Sequence, residues 1–151
     1  MDEITARVRR TIGAPPAVVW AALTDASKLK AFFLGADVET DWAVGHPIIF
    51  SGEFNGKAYR DKGEILEFAE ERRLSFSHYS PVTGAADTPE NYHVVTFDLV
   101  PVMGVTEVTL TQSNLTGGVR ESDLTNRPEF ERNWTTLLEG LDRVVTGSAA
   151  A

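Results

Sequence analysis

The stretch from Asn126 to Gly147 constrains this 151-residue chain more than any other. Phe130, Trp134, Leu137, Leu138, Leu141, Val144 and Val145 recur at steps of three and four, so a helix gathers them on one broad apolar face. Such a face is unstable in water and demands a partner surface. Asn126 and Glu129 have the spacing of a capping box, Pro128 falls in the first turn where its missing N–H costs nothing, and Gly147 closes the end. The pattern predicts one C-terminal helix over 126–147 and leaves the upstream residues to cover it.

Those residues read mainly as strands. Ile4, Ala6, Val8, Arg10 and Ile12 alternate with polar neighbours, the period of a half-buried strand, and stop at Gly13. Pro15 and Pro16 open a short helix with Val19, Trp20 and Leu23 on one side, and Asp25 caps a second with Leu29, Phe32 and Phe33. Strands are then predicted over 38–42, 47–54, 57–68, 73–79, 92–100 and 105–113, with a hairpin at Asn55-Gly56, a turn at Pro101 to Gly104, and a 12-residue loop from Ser80 to Asn91. Asn114 to Gly118 is the polar, Gly-rich connection into the long helix. Strand parity puts His78 on one face with Leu74 and Phe76, and His93 with Val95, Phe97 and Leu99. It also sends Glu64 and Glu67 to opposite faces, and a bulge near Gly63 would invert the assignments after it.

Composition removes several classes of function. The chain is expected to form a single domain over 1–151, long enough to bury roughly two thirds of its unfolded surface. It has no cysteine, which excludes disulfides, thiolate nucleophiles and Cys-ligated metals. No signal-peptide core or membrane-length apolar run is present, so a cytoplasmic location without membrane insertion is expected. A net charge of −8 repels phosphate backbones and argues against nucleic acid as a partner. No phosphate-binding glycine loop, nucleophile elbow or metal-binding helix motif occurs. His46, His78 and His93 lack the spacing of a zinc tripod, and neither a cofactor nor a metal is expected.

The order of these pieces resembles a known family. Its carriers are Ala14-Pro15-Pro16 leading into Val19-Trp20-Ala21-Ala22-Leu23, then Trp42-Ala43-Val44-Gly45, Gly63-Glu64-Ile65-Leu66-Glu67, Arg73-Leu74-Ser75-Phe76 and Asn91-Tyr92-His93. Val108-Thr109-Leu110-Thr111-Gln112 and Asn133-Trp134 complete them. Together they resemble the START-related helix-grip superfamily, in the branch similar to the C-terminal domain of activators of the Hsp90 chaperone ATPase. The resemblance implies an α+β fold in which a curved antiparallel sheet of six to seven strands grips the last helix, with two short helices after strand 1. It also implies a cavity between sheet and helix for a lipid, sterol, polyketide-like or other small apolar molecule.

Within that fold the expected cavity residues are Phe33, Phe50, Phe54, Phe76, His78, His93, Phe97, Trp134, Leu138 and Leu141. Tyr59, Arg60, Tyr79 and Tyr92 are the candidate polar groups at its mouth. The leading reading is binding of a small hydrophobic ligand without an assigned catalytic residue. One alternative is a cyclase- or hydrolase-type enzyme using His78 or His93, since imidazole titrates near neutrality. Another is an interaction module for a chaperone or other protein, with the 80–91 loop and the acidic surface as contact. Both monomer and dimer are compatible with the pattern, because an N-terminal edge strand could pair with a second copy.

Overall fold

Alternation, proline starts and hairpin chemistry set the order of elements. The computed structural model describes residues 4–33, 35–54 and 56–147, apart from the side chain of Phe54. The cavity assignment of Phe54 and the role of Asn55 in its turn therefore lie outside the described residues. β1 (Ile4–Ile12) precedes α1 (Pro16–Leu23) and α2 (Ala26–Phe32). Six strands follow: β2 (Asp37–Glu39), β3 (Pro47–Phe54), β4 (Lys57–Ala69), β5 (Arg73–His78), β6 (His93–Val102) and β7 (Val105–Asn114). α3 (Glu121–Thr146) comes last.

The strands form one antiparallel sheet in the order β1-β7-β6-β5-β4-β3-β2. β2 to β7 are a meander, and α1 with α2 carries the chain from the β1 edge to the β2 edge. The sheet curves around α3, giving the expected α+β helix-grip architecture. Leu137, Leu138 and Leu141 of α3 are buried against Ile12, Leu74, Phe97, Leu99, Val108 and Leu110 of the sheet, with α1 and α2 closing the side. Val8, Trp134, Val144 and Val145 pack around this core at half exposure.

Polar side chains fix the ends. The Asp25 carboxylate accepts from the Ser27 N–H at 2.9 Å and caps α2. The β6–β7 turn is tighter than expected, because Val102 pairs with Val105 and only Met103 (φ 49°) and Gly104 (φ 87°) turn the chain. Two positive φ values in a two-residue loop match the right-handed twist of the flanking strands. Trp42 is not in β2; its φ of 62° interrupts the extended chain after Glu39.

Helix α3 begins earlier than the expected capping box at Asn126. The Asp123 carboxylate accepts from the Arg120 N–H and from Asn114 Nδ2, both at 2.8 Å. A buried acid at the helix start thus ties the first turn to the end of β7, and complements the helix N-terminal charge. Asn126 and Pro128 are consequently interior. Pro128 is exposed, as is Leu124 four residues before it, so the carbonyl that loses its donor faces solvent. Gly147, with φ 72°, closes the helix as its position predicts.

Part of the N-terminal edge is engaged by α3. Arg127 donates from Nε to the Thr5 carbonyl at 2.8 Å and from Nη2 to the Ile4 carbonyl at 2.9 Å. Glu131 accepts from the Arg7 N–H at 3.0 Å, and Arg10 meets Asp142 at 2.7 Å. Side chains of α3 therefore occupy backbone groups that an edge strand otherwise offers to a partner.

A bulge lies between Ile65 and Glu67, two residues beyond the expected site. Glu67 pairs with Ser75 whereas Ile65 pairs with Phe76, so Ile65 and Phe68 both turn inward and Glu64 and Glu67 share the exposed face. This overturns the opposite-face assignment of the two glutamates. At Gly63 a Cβ would stand 1.6 Å from the Ser77 carbonyl oxygen, a backbone atom that cannot move aside. Gly63→Ala is expected to lower unfolding free energy by about 3 kcal/mol or more, read as a shifted urea midpoint with unchanged far-UV circular dichroism.

Candidate functional site

Alternation brings the aromatic candidates together where α2, β3, β5 and α3 meet. Phe33 stacks on Phe50 with ring centroids 5.1 Å apart, and lies 6.4 Å from Phe76 and 6.3 Å from Trp134. Phe50, Phe76, Phe97, Leu138 and Leu141 are all buried. These rings pack against one another between the sheet and the helices. What remains among Leu23, Phe33, Trp42, Phe50, Phe76 and Phe97 is about 10 Å³, no more than a single water requires.

Beyond the rings the inner face turns polar. His78 stands opposite His93 on adjacent strands, and His93 stands opposite Asn114. His78 Nε2 lies 3.0 Å from Asp61 Oδ2, and Asn114 Nδ2 donates to Asp123. Asp61, His78, His93, Asn114 and Asp123 thus form a row crossing β4 to β7 and ending on α3. α3 covers this row from above: Phe130 meets the His93 ring edge-on at 6.3 Å, and the Trp134 indole donates to Gln112 Oε1 at 2.8 Å. Phe50 meets His78 edge-on at 5.5 Å.

His78, His93 and Trp134 therefore occupy the predicted face. Asp61, Gln112, Asn114 and Asp123 were not anticipated. Asp61 meets His78 and not its neighbour Arg60, because adjacent strand residues point to opposite faces and it is Asp61 that turns inward. The usable signal was the repeated inward parity of polar residues at one end of β4 to β7.

The mouth assignments are redistributed. Tyr59 lies across Gly52, its cross-strand neighbour, where a Cβ would meet its hydroxyl at 2.8 Å, and it packs against the core. Burial raises its phenol pKa, reinforced by the charges of Asp61 and Asp37. Arg60 is exposed and points away from the row. Tyr79 and Tyr92 are not at the mouth. They stack at 5.1 Å on the outer face, where Tyr79 donates to the Ala85 carbonyl at 2.5 Å and Tyr92 to Asp87 at 2.6 Å. With the Lys62–Asp87 ion pair, they pin the 80–91 loop to the sheet. His46 is elsewhere, beside Asp41 at 2.6 Å. Among the described residues no group of three or more acidic or imidazole side chains is arranged to hold a metal.

A larger concavity of about 620 Å³ lies on the opposite side of the sheet, between Arg7, Arg9, Arg73, Thr96 and Thr111. It is lined by polar side chains and shares no ring with the helix-facing cluster.

Burial lowers the His93 pKa below its ordinary 6.5, and the neighbouring His78 adds to that, opposed by the Asp123 charge. Below pH 6.5 the unfolded chain takes up a proton that folded His93 resists, so stability is lost as pH falls through that window. Urea midpoints measured between neutral pH and about pH 5 should fall for the wild type and fall less for His93→Gln.

Residues 13–146 match the family model described as Activator of Hsp90 ATPase homolog 1-like protein. ChR145 from Cytophaga hutchinsonii is 42% identical, with 99% of each chain covered and a TM-score of 0.78. The Aha1 dimer from Colwellia psychrerythraea shares the fold at 22% identity, 93% of this chain, 94% of that one and a TM-score of 0.69. DynU16, from the dynemicin biosynthetic locus, is 19% identical over 93% of this chain and 46% of its own, with a TM-score of 0.73. Among curated proteins none matches. No described helix is long and apolar enough to cross a membrane. The chain belongs to the Activator of Hsp90 ATPase homolog 1-like family, in its helix-grip form.

Proposed function

We propose that this protein binds a small apolar molecule at the polar end of the grip, between the inner face of β5 to β7 and the Phe130–Trp134 segment of α3. The observation that carries this reading is the convergence of rings and imidazoles there. Phe33, Phe50, Phe76, Phe130 and Trp134 approach one another around His78 and His93, an apolar lining with few polar groups. The deep core supports it less, because a close-packed interior resists insertion. Phe130, Trp134, His78 and His93 are each only half-buried, so a ligand entering here displaces rim side chains and leaves Leu138 and Leu141 seated. The family and the likeness to a protein of a biosynthetic locus agree with a small-molecule role.

Native mass spectrometry of freshly purified protein, followed by titration with the uncharged probe N-phenylnaphthylamine, tests this. One probe per chain is expected, with affinity reduced roughly tenfold or more in Trp134→Ala. A bare apo mass together with no probe binding would sink the reading.

One observation favours a protein partner instead. The β6–β7 tip exposes Val100 (49%), Val102 (43%) and Met103 (100%) side by side, an apolar patch on an otherwise acidic molecule. If this tip docks on a chaperone, Met103→Lys abolishes co-purification with purified Hsp90, and a variant that co-purifies as well as the wild type removes the tip from consideration.

A further inference from the structure

The polar end of the grip has hydrogen-bonding capacity that the protein itself does not use, and it is sorted by type. Gln112 is 4% exposed, and its Oε1 accepts from Trp134. An indole N–H only donates, so this contact orients the amide and leaves Nε2 as a buried donor. Among the described residues Nε2 has no acceptor. On the other side of the row, Asp61 Oδ2 accepts from His78, while among the described residues its buried Oδ1 has no donor. A carboxylate only accepts, so His78 Nε2 donates to Asp61, and no described residue hydrogen-bonds His78 Nδ1. An unused acceptor therefore stands on β4 and an unused donor on β7. Buried groups of this kind cost stability unless something satisfies them.

Spacing and charge narrow what that something is. His78 and Gln112 are two strands apart and two residues out of register, since His78 lies level with His93 and Asn114, a Cα separation of about 12 Å at ordinary strand geometry. The groups facing His78 are Asp61 from β4, Phe50 from β3 and His93 from β6, and none of them is a fixed cation. Arg120, whose charge reaches His93, is held by the Glu90 carbonyl. An anionic headgroup would lose its hydration beside the Asp61 carboxylate and meet its repulsion.

We propose that the ligand is a neutral apolar molecule with a hydroxyl or N–H donor at one end, received by Asp61 beside His78, and a carbonyl-type acceptor at its other end, received by Gln112 Nε2. The proposal rests on the apolar-ligand reading above and adds a polarity code that excludes free fatty acids and other carboxylates.

Calorimetric titration of the intact protein with four naphthalenes tests it: a hydroxy-acetyl-naphthalene with its groups at opposite ends, the hydroxy compound alone, the acetyl compound alone, and the hydroxy-naphthoate. The hydroxy-acetyl compound is expected to bind roughly tenfold or more tightly than either singly substituted ring, with the carboxylate weakest. In Gln112→Met, whose fold is checked by circular dichroism, the advantage over the hydroxy compound disappears. In Asp61→Asn the advantage over the acetyl compound shrinks while the acetyl compound itself binds as before. Equal affinity for all four rings, or tightest binding of the carboxylate, overturns the polarity code but leaves the apolar site standing. Failure of every ring to bind overturns both.

Discussion

The contact on which the rest of this molecule depends is that between α3 and the sheet. Leu137, Leu138 and Leu141 are buried in the concave face, and Arg127, Glu131 and Asp142 engage β1 along its edge. The apolar part provides most of the driving force, since burying such side chains removes large areas of hydrocarbon from water. The polar part fixes where along the strand the helix lies. Without it the helix could slide along a largely non-directional apolar surface, because hydrophobic burial alone specifies register poorly.

That arrangement divides the interior into two chemically different halves. Toward the C-terminal half of α3 the sheet presents Ile12, Leu99, Val108 and Leu110, and packing is complete. Toward its N-terminal half β5 to β7 present His78, His93, Gln112 and Asn114, with the half-buried rings of Phe130 and Trp134 over them. The first half holds the fold together. The second has polar groups in an apolar setting, the condition under which interactions with a bound molecule are strongest and unsatisfied groups most costly. Separation along one helix lets one segment yield to a ligand while the other stays seated.

The gap between what could be read in the chain and what the structure shows is clearest at β4. Parity separates Asp61 from its neighbour Arg60 and turns it inward, but parity names no partner for it. The partner is His78, seventeen residues away and on the next strand. The bulge at Ile65–Glu67 reverses the facing of Glu67, and nothing in local propensity marks it more strongly than its neighbours. Tyr79 and Tyr92 moved for a related reason: each is one residue from an inward histidine, so each points outward and the two meet across the loop they anchor.

The amino-acid sequence by itself determined the elements, their order, the apolar face of α3 and the inward face of β5 and β6, because each depends on periodicity and local turn chemistry. It also determined the family, through residues whose role is packing. Tertiary structure alone decided that α3 starts at Glu121, that α3 side chains reach the β1 edge, and that Phe33, Phe50, Phe76 and Trp134 gather in one cluster. The same holds for the row of Asp61, His78, His93, Asn114 and Asp123. Those features depend on strand register and on side-chain volumes meeting in space, and register couples residues that lie far apart along the chain.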